Sequence, residues 1–356
     1  MSFYSFIVLL ALSKQLAEGH ALTDAQVSDA VRELTGEEAT AEVKAEFLTA
    51  LARKGETAGE IAAFARALQD MAIAPPLDAV TRARPIMDVC GTGGDRMNTF
   101  NISTTVAFVL ASAGVNVAKH GNRAVTSQAG SADVLEALGI KIHLTPDQAA
   151  ASLRDHHFTF FFAPDYHPAF KKIAPARRLC GERGQRTIFN FLGPLLNPAR
   201  PSLQLVGVPR RELCLPMAAV LQSLGVQRGM VVCGCVGDAG LRRHLDELSI
   251  LGKSFYAGFS SKRTWSRSLA PGKFPLQPAT LADLAGGDRQ ANAEIVRRLL
   301  RGEDRGPKRD AVLLNSAAAL FVAGKCRSFG EGWYLAAELI DTEKAMIKLK
   351  ELVGTG

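Results

Sequence analysis

Three short stretches carry residue types that could do chemistry, and each points toward an anion. The first is Asp88–Thr105, which reads D-V-C-G-T-G-G-D-R-M-N-T-F-N-I-S-T-T. Its glycines, Gly91, Gly93 and Gly94, permit φ > 0 and close ligand approach, so successive backbone N–H groups can converge on one negative charge. Asn101, Ser103 and Thr104 then open a run of small residues that predicts a helix, with Ser103 as its N-cap. Unpaired N–H donors and positive partial charge at a helix start suit phosphate. The second stretch is Lys119-His120-Gly121-Asn122-Arg123: two fixed cations, an imidazole, an amide and a glycine. A basic pentapeptide alone reads as a solvated loop. Following a predicted strand, one strand–helix unit after the glycine loop, it reads as an anion and substrate platform. The third is Asp246-Glu247.

Adjacent acids are ordinarily a solvated surface pair. Beside a polyphosphate they become ligands for Mg2+, a hard cation typically held by one or two carboxylates together with substrate phosphates. The Ser103 hydroxyl could complete a second position of such a site. Ser127, Gly130 and Ser131 form a further hydroxyl-and-glycine turn opening a helix, with Asp133 in its first turn. Alone that is a plain helix start; beside the other stretches it is a second phosphate contact. Two common phosphate signatures are missing. Gly91-x-Gly93-x-x-Arg96 lacks the third glycine of the dinucleotide fingerprint, and no G-x-x-x-x-G-K-[ST] occurs. Neither G-x-S-x-G nor H-E-x-x-H is present, so serine-hydrolase and zinc-peptidase readings find no support.

The elements that must position these residues fall into two kinds. Residues 1–74 read as helical. Thr23 with Gln26 and Thr57 with Glu60 form capping boxes ahead of apolar residues at helical spacing, and Thr40 caps a helix between them. Pro75-Pro76 stops the pattern, and 75–84 reads as a linker. From Ile86 strand-length apolar runs alternate with helical stretches: Ile86–Cys90, Val115–Ala118, Ile140–Leu144, Phe158–Ala163, Leu203–Val208 and Met230–Cys235. Such alternation predicts a mainly parallel α/β sheet, with ligands beyond the carboxyl ends of its strands. The segment 167–198 breaks the alternation. It is helix-like and proline-punctuated, with six basic residues against one acid over Lys171–Arg186, and it could return to the leading helices. The stretch from Tyr256 to Pro278 reads as strands and loops, and the end as three helices within 310–353.

Composition bounds the rest. At 356 residues, 47% hydrophobic and 22% charged, the chain can bury a full core and suggests about two domains. A net charge of +7 is compatible with a small anionic substrate or with nucleic acid. The six cysteines include no C-x-x-C pair, and they read as free thiols in a reducing cytoplasm. The apolar run Phe6–Leu12 has no preceding Lys or Arg and is too short to span a bilayer, so it reads as one face of a first helix.

Taken in order, the motifs resemble those of the anthranilate phosphoribosyltransferase family. The match runs through Gly91-Thr-Gly-Gly-Asp95, Asn101-Ile-Ser-Thr104, Lys119-His-Gly-Asn-Arg123 and the Gly130–Gly139 stretch G-S-A-D-V-L-E-A-L-G. It continues through Arg186-Thr-Ile-Phe-Asn190, Gly193-Pro194, Asn197-Pro198, Asp246-Glu247 and Asp310-Ala-Val-Leu-Leu-Asn315, spanning nearly the whole chain. The resemblance implies the nucleoside phosphorylase/phosphoribosyltransferase type of α/β fold. A small all-helical domain, 1–74 joined by helices from about 167–198, would precede a larger mainly parallel-sheet domain, 84–356.

It also implies an activity: transfer of phosphoribosyl from phosphoribosyl pyrophosphate to anthranilate, releasing pyrophosphate, in tryptophan biosynthesis. By resemblance, Gly91, Gly94, Asp95, Thr99, Asn101, Ile102, Ser103, Thr104, Lys119, His120, Gly121, Asn122, Arg123, Ser127 and Ser131 would contact phosphoribosyl pyrophosphate. Gly91, Asn122 and Arg177 would meet anthranilate, with Arg178 or Arg183 as alternatives for its carboxylate. Ser103, Asp246 and Glu247 would hold Mg2+, and Lys119, Asp246 and Glu247 would carry catalysis. A cytoplasmic homodimer acting on small molecules, with no nucleic acid or membrane partner, completes the expectation. Two rivals remain at this stage: a pyrimidine nucleoside phosphorylase on the same fold, and a non-catalytic relative binding nucleic acid through its basic surface. Asn101-Ile-Ser-Thr104 with Asp246-Glu247 weighs against the first, and the retained glycine loop and acid pair weigh against the second.

Overall fold

In the computed structural model the described residues are 3–124, 128–237, 243–261 and 263–354, with side chains described from residue 8 onward. The chain divides into two units, 1–73 with 164–198 and 74–163 with 199–356.

The helical unit is built by its caps. Helices Asp24–Thr35, Ala41–Lys54 and Ala58–Asp70 each start behind a threonine whose side chain accepts an N–H of the first turn, from Gln26, Val43 and Glu60 respectively. Apolar residues at helical spacing, among them Val27, Phe47, Leu51, Phe64 and Leu68, are buried between them. Helix Phe170–Glu182 belongs to this unit despite Pro175 within it. It contacts Ala41–Lys54, where the Cys180 thiol donates to the Ala45 carbonyl at 3.6 Å.

The α/β unit holds one sheet. Its strands are β1 (Ile86–Gly91), β2 (Asn116–Gly121), β3 (Phe158–Phe162), β4 (Leu203–Gly207), β5 (Arg228–Cys235), β6 (His244–Leu245), β7 (Ser254–Ser260) and β8 (Arg263–Leu269). The order is β3-β2-β1-β4-β5-β7-β8, with β6 paired to β5. The β3-β2-β1-β4-β5 pairings are parallel, and the pairings of β6, β7 and β8 are antiparallel. From β1 the chain winds out to β2 and β3, then returns to place β4 on the other side of β1. That reversal makes the carboxyl ends of β1 and β4 a topological switch point, the usual ligand crevice of such sheets. The core is formed by helix Ile102–Ser112, apolar on every side, and helix Pro307–Val322, with the sheet residues Met87, Val117 and Phe158.

Several elements differ from the sequence expectation. Ile140–Leu144 is not a strand. Ile140 and Ile142 are buried in strand-like alternation, but they only line the core, and the Ile140 N–H goes to the Leu135 carbonyl instead of a ladder. The 75–84 linker contains a helical turn, Ala79–Ala83, capped by Asp78. Helix Arg289–Leu300, capped by Asp288, was not anticipated, because its polar face of arginines masks a narrow apolar stripe. Among the described residues no helix is long and apolar enough to cross a membrane.

Candidate active site

The glycine loop leaves β1 at the switch point, where Gly91 is paired in register with Gly207 at the end of β4. Both glycines face Asp246. A Cβ on Gly91 would collide with the Asp246 carboxylate, and one on Gly207 would overlap the Asp246 carbonyl oxygen. Only glycine at both positions lets the acid-bearing turn sit against the strand ends. The loop then wraps that carboxylate: the Gly93 N–H donates to Asp246 Oδ2 at 2.7 Å. Asp95 ties the loop to the turn from the other side, with Oδ1 accepting from the Met97 N–H at 3.0 Å and Oδ2 from the Asp246 N–H at 3.4 Å. Positive φ recurs at Gly93 (71°), Arg96 (58°) and Asn98 (53°). Two of these are not glycine, and left-handed backbone at such residues concentrates in ligand-binding segments. Thr99 forms a bridge with Ala285, which anchors the far end of the loop.

Ser103 is not the N-cap. Asn101 holds that position, without a capping bond from its side chain, and Ser103 lies one residue inside helix Ile102–Ser112. The difference matters, because from there the Ser103 N–H lies near enough to Glu247 to favour its charged form. Its hydroxyl meanwhile accepts from Lys119 Nζ at 3.4 Å. Lys119 is 2% exposed and gives its other bond to the Val89 carbonyl at 2.7 Å. It has no ion-pair partner among the described residues. A buried ammonium satisfied only by neutral oxygens is suited to a charged partner from outside the chain.

The acid pair shows the opposite imbalance. Burial pushes the Asp246 carboxyl up, the charge of Asp95 pushes it further, and the Gly93 N–H only partly opposes them. Burial and the charge of Asp246 lift Glu247 well above the usual carboxylate range, with Lys119 opposing. Two crowded carboxylates and a serine hydroxyl form a hard oxygen donor set whose mutual repulsion a divalent cation would relieve, so these residues fit Mg2+. No group of three His, Cys, Asp or Glu residues that could hold a metal alone occurs among the described residues. The buried atoms Thr92 Oγ1, Asn101 Oδ1 and Thr104 Oγ1, on the loop and the helix start, have no hydrogen-bond partner among the described residues.

Lys119–Gly121 continue β2 rather than follow it, which fixes their backbone in the sheet. The His120 N–H donates to the buried Asp88 at 3.3 Å. The Asn122 carbonyl accepts from Ser131 Oγ at 3.4 Å, and Ser131 packs so closely on Gly121 that a Cβ there would strike its hydroxyl. Arg123 is tied to Asp133 at 3.0 Å and to Glu136 Oε1 at 2.9 Å. Ser127 lies outside the described residues. Arg177 stands on helix Phe170–Glu182 of the helical unit, exposed, with its guanidinium 4.8 Å from the Phe189 ring centre. The structure thus brings Gly91, Asp95, Ser103, Lys119, Asp246 and Glu247 together. It adds Gly207 and Thr92, which the motifs did not single out. A glycine ending the buried strand Leu203–Gly207 was the available signal for the first.

Such a site at the switch point of a mainly parallel sheet, in a chain with a separate helical unit, defines a class. Residues 83–346 match the a/b domain of the glycosyl transferase family, and residues 11–72 match the family's helical bundle domain. Within that class the chain belongs to the anthranilate phosphoribosyltransferase family. It is 46% identical over 347 residues to the anthranilate phosphoribosyltransferase of Moorella thermoacetica, covering 97% of this chain and 98% of that one. Its fold is similar to the crystal structure of the Thermus thermophilus enzyme, with a TM-score of 0.85, 38% identity, and coverage of 96% of this chain and 98% of that one. It is also similar to the Saccharomyces cerevisiae enzyme in complex with phosphoribosyl pyrophosphate and Mg, with a TM-score of 0.85, 28% identity, and coverage of 98% and 99%.

Proposed function

We propose that this chain is an anthranilate phosphoribosyltransferase, moving the 5-phosphoribosyl group of phosphoribosyl pyrophosphate onto the amine of anthranilate in tryptophan biosynthesis. The observation that carries the reading is the pairing, at one switch point, of the buried ammonium of Lys119 with the crowded acids Asp246 and Glu247. Both want a partner of the opposite charge, and a metal pyrophosphate supplies both charges at once.

In the reaction the anthranilate nitrogen bonds to the ribose anomeric carbon, the bond from that carbon to pyrophosphate oxygen breaks, and the amine proton passes to solvent. Lys119 and the N–H groups of the glycine loop stabilise the charge growing on the departing pyrophosphate. Asn101–Thr104, at a helix start, and the Lys119–Arg123 and Ser131 segments bind the remaining phosphate and ribose oxygens. Ser103, Asp246 and Glu247 would hold Mg2+, which when bound supplies Lewis-acid neutralisation of pyrophosphate charge. Gly91, Asn122 and Arg177 would receive anthranilate, the guanidinium pairing its carboxylate through two parallel hydrogen bonds. An aromatic amine is largely unprotonated at neutral pH, so positioning does most of the work and no dedicated base is required, with His120 at most assisting. The yeast relative's complex with phosphoribosyl pyrophosphate and Mg supports the substrate and the metal. A homodimer completes the reading. Sedimentation equilibrium checks it.

The test of function is the loss of anthranilate fluorescence on adding phosphoribosyl pyrophosphate, with and without Mg2+. Loss only when all three are present is expected. No loss under any condition rejects the function.

A further inference from the structure

The turn that bears the acids is clamped from behind by a residue given no role above. Asn315 sits in helix Pro307–Val322, fully buried, in a stretch that is otherwise almost entirely apolar. Its side chain grips the backbone of a single residue, Leu248, the next after the acid pair. Asn315 Oδ1 accepts the Leu248 N–H at 2.9 Å, and Nδ2 donates to the Leu248 carbonyl at 3.0 Å. The second Nδ2 hydrogen goes to the Ala311 carbonyl at 2.9 Å, one turn back in its own helix. Both amide hydrogens are therefore committed, and the amide cannot rotate without losing all three bonds.

Other contacts close the cage. The Asp246 backbone rests on Gly207 and the Glu247 carbonyl on Gly234, where a Cβ would stand 2.5 Å from that oxygen. The Ser249 N–H donates to Ser254 Oγ at 2.8 Å. Two adjacent carboxylates, one buried and one half-buried, repel, and a turn free to move would splay them apart or turn them to solvent. This turn has no such freedom: glycine notches seat its near side and Asn315 holds its far side.

We infer that Asn315 is a positioning residue, holding the Asp246–Glu247 turn so that both carboxylates face the loop and Ser103 before any metal or substrate arrives. The inference rests on the proposed function, since it concerns the same acid pair. It goes beyond that reading in placing the source of the site's preorganisation in a residue that touches neither substrate nor metal. An asparagine is required because only a side-chain amide offers a donor and an acceptor in the spacing of a peptide group. Aspartate is nearly the same size but has no N–H to give to the Leu248 and Ala311 carbonyls.

The test compares wild type, Asn315→Ala and Asn315→Asp by Mn2+ paramagnetic resonance in the presence of pyrophosphate, a binding readout that needs no turnover. Each variant is expected to bind Mn2+ about 10-fold or more weakly and to need correspondingly more Mg2+ for half-maximal turnover, with the KM for anthranilate within about twofold of wild type. Val312→Ala, in the same buried helix, controls for general loosening and should leave Mn2+ affinity unchanged. If Asn315→Ala proves too unstable to study, Ser254→Ala removes the next bond along the turn and should show the same split more weakly. Mn2+ affinity unchanged in a folded Asn315 variant overturns the inference, as does an equal loss in Val312→Ala. If wild type itself binds no Mn2+ with pyrophosphate, the proposed function fails, and the inference with it.

Discussion

Each unit buries a lysine near a glutamate, and the two arrangements are opposites. In the helical unit Lys54 Nζ lies 2.7 Å from Glu60 Oε2, with side chains only 6% and 1% exposed. Glu60 also accepts from the Leu22 N–H at 3.0 Å, the Thr57 N–H at 2.9 Å and the Thr57 hydroxyl at 2.9 Å. Burial alone would lift the Glu60 carboxyl, but these donors outweigh it, and the group sits below its ordinary value. In the α/β unit Lys119 has only neutral oxygens, and Glu247 is raised well above its ordinary value. Residue type is alike; the degree of compensation differs. A charge whose needs are met inside the chain stabilises the fold. A charge left wanting at a strand end is available for chemistry.

If that contrast holds, stability and turnover should respond in opposite senses. Asp246→Asn with Glu247→Gln should reduce Mg2+-dependent turnover by about 1,000-fold or more. The same change should leave the melting temperature of the ligand-free protein unchanged or raised, because it relieves repulsion between buried charges. Steady-state kinetics and a thermal melt on one preparation decide it, and a clear drop in melting temperature would break the contrast. Glu60→Gln should do the reverse, costing about 3 kcal/mol by denaturant unfolding while leaving kcat near wild type wherever the protein is folded.

A buried histidine sharpens the structural side. His167 is 2% exposed in the helical unit, and burial lowers its pKa to about 4, against an opposing hydrogen bond from the ring to the Leu196 carbonyl. The folded protein therefore excludes a proton that the unfolded chain takes up below about pH 6.5. The contribution is complete above that pH and shrinks as pH falls toward the folded value, by about 2 kcal/mol between pH ~7 and pH ~5. His167→Gln should flatten that slope in pH-dependent unfolding. The smallest effect is expected at the notch. Gly91→Ala places a methyl against the Asp246 carboxylate and should lower kcat/KM for phosphoribosyl pyrophosphate about 10-fold, with little change in the melt.

The comparison also shows what the sequence could and could not reveal. Glycine spacing, Lys119 and the acid pair were legible because each is a local cluster with a chemical signature. The capping boxes at Thr23 and Thr57 were legible for the same reason, since N-cap and N3 lie three residues apart. The roles of Gly207 and Asn315 were not, because their partners, Asp246 and Leu248, lie 39 and 67 residues away along the chain. A glycine ending a strand and an asparagine closing a motif mark the positions without naming the contact. Ile140–Leu144 failed differently. Its alternation was real, but a strand is made by ladder bonds from a neighbour, and the alternation served only to bury Ile140 and Ile142. Ser103 was placed two positions too early by a preference for serine at helix starts, when Asn101 is the cap and the Ser103 hydroxyl meets Lys119.

On this reading the uncompensated charges around Lys119 and Asp246-Glu247 exist to receive a metal pyrophosphate. Calorimetric titration of phosphoribosyl pyrophosphate into the protein, with and without Mg2+, tests it most directly when run on wild type and on Asp246→Asn with Glu247→Gln. Tight binding by wild type is expected only with Mg2+, with protons released as the raised carboxyls ionise, and neither metal dependence nor proton release is expected in the double variant. Equal affinity in both proteins, or affinity in wild type that ignores Mg2+, would contradict it.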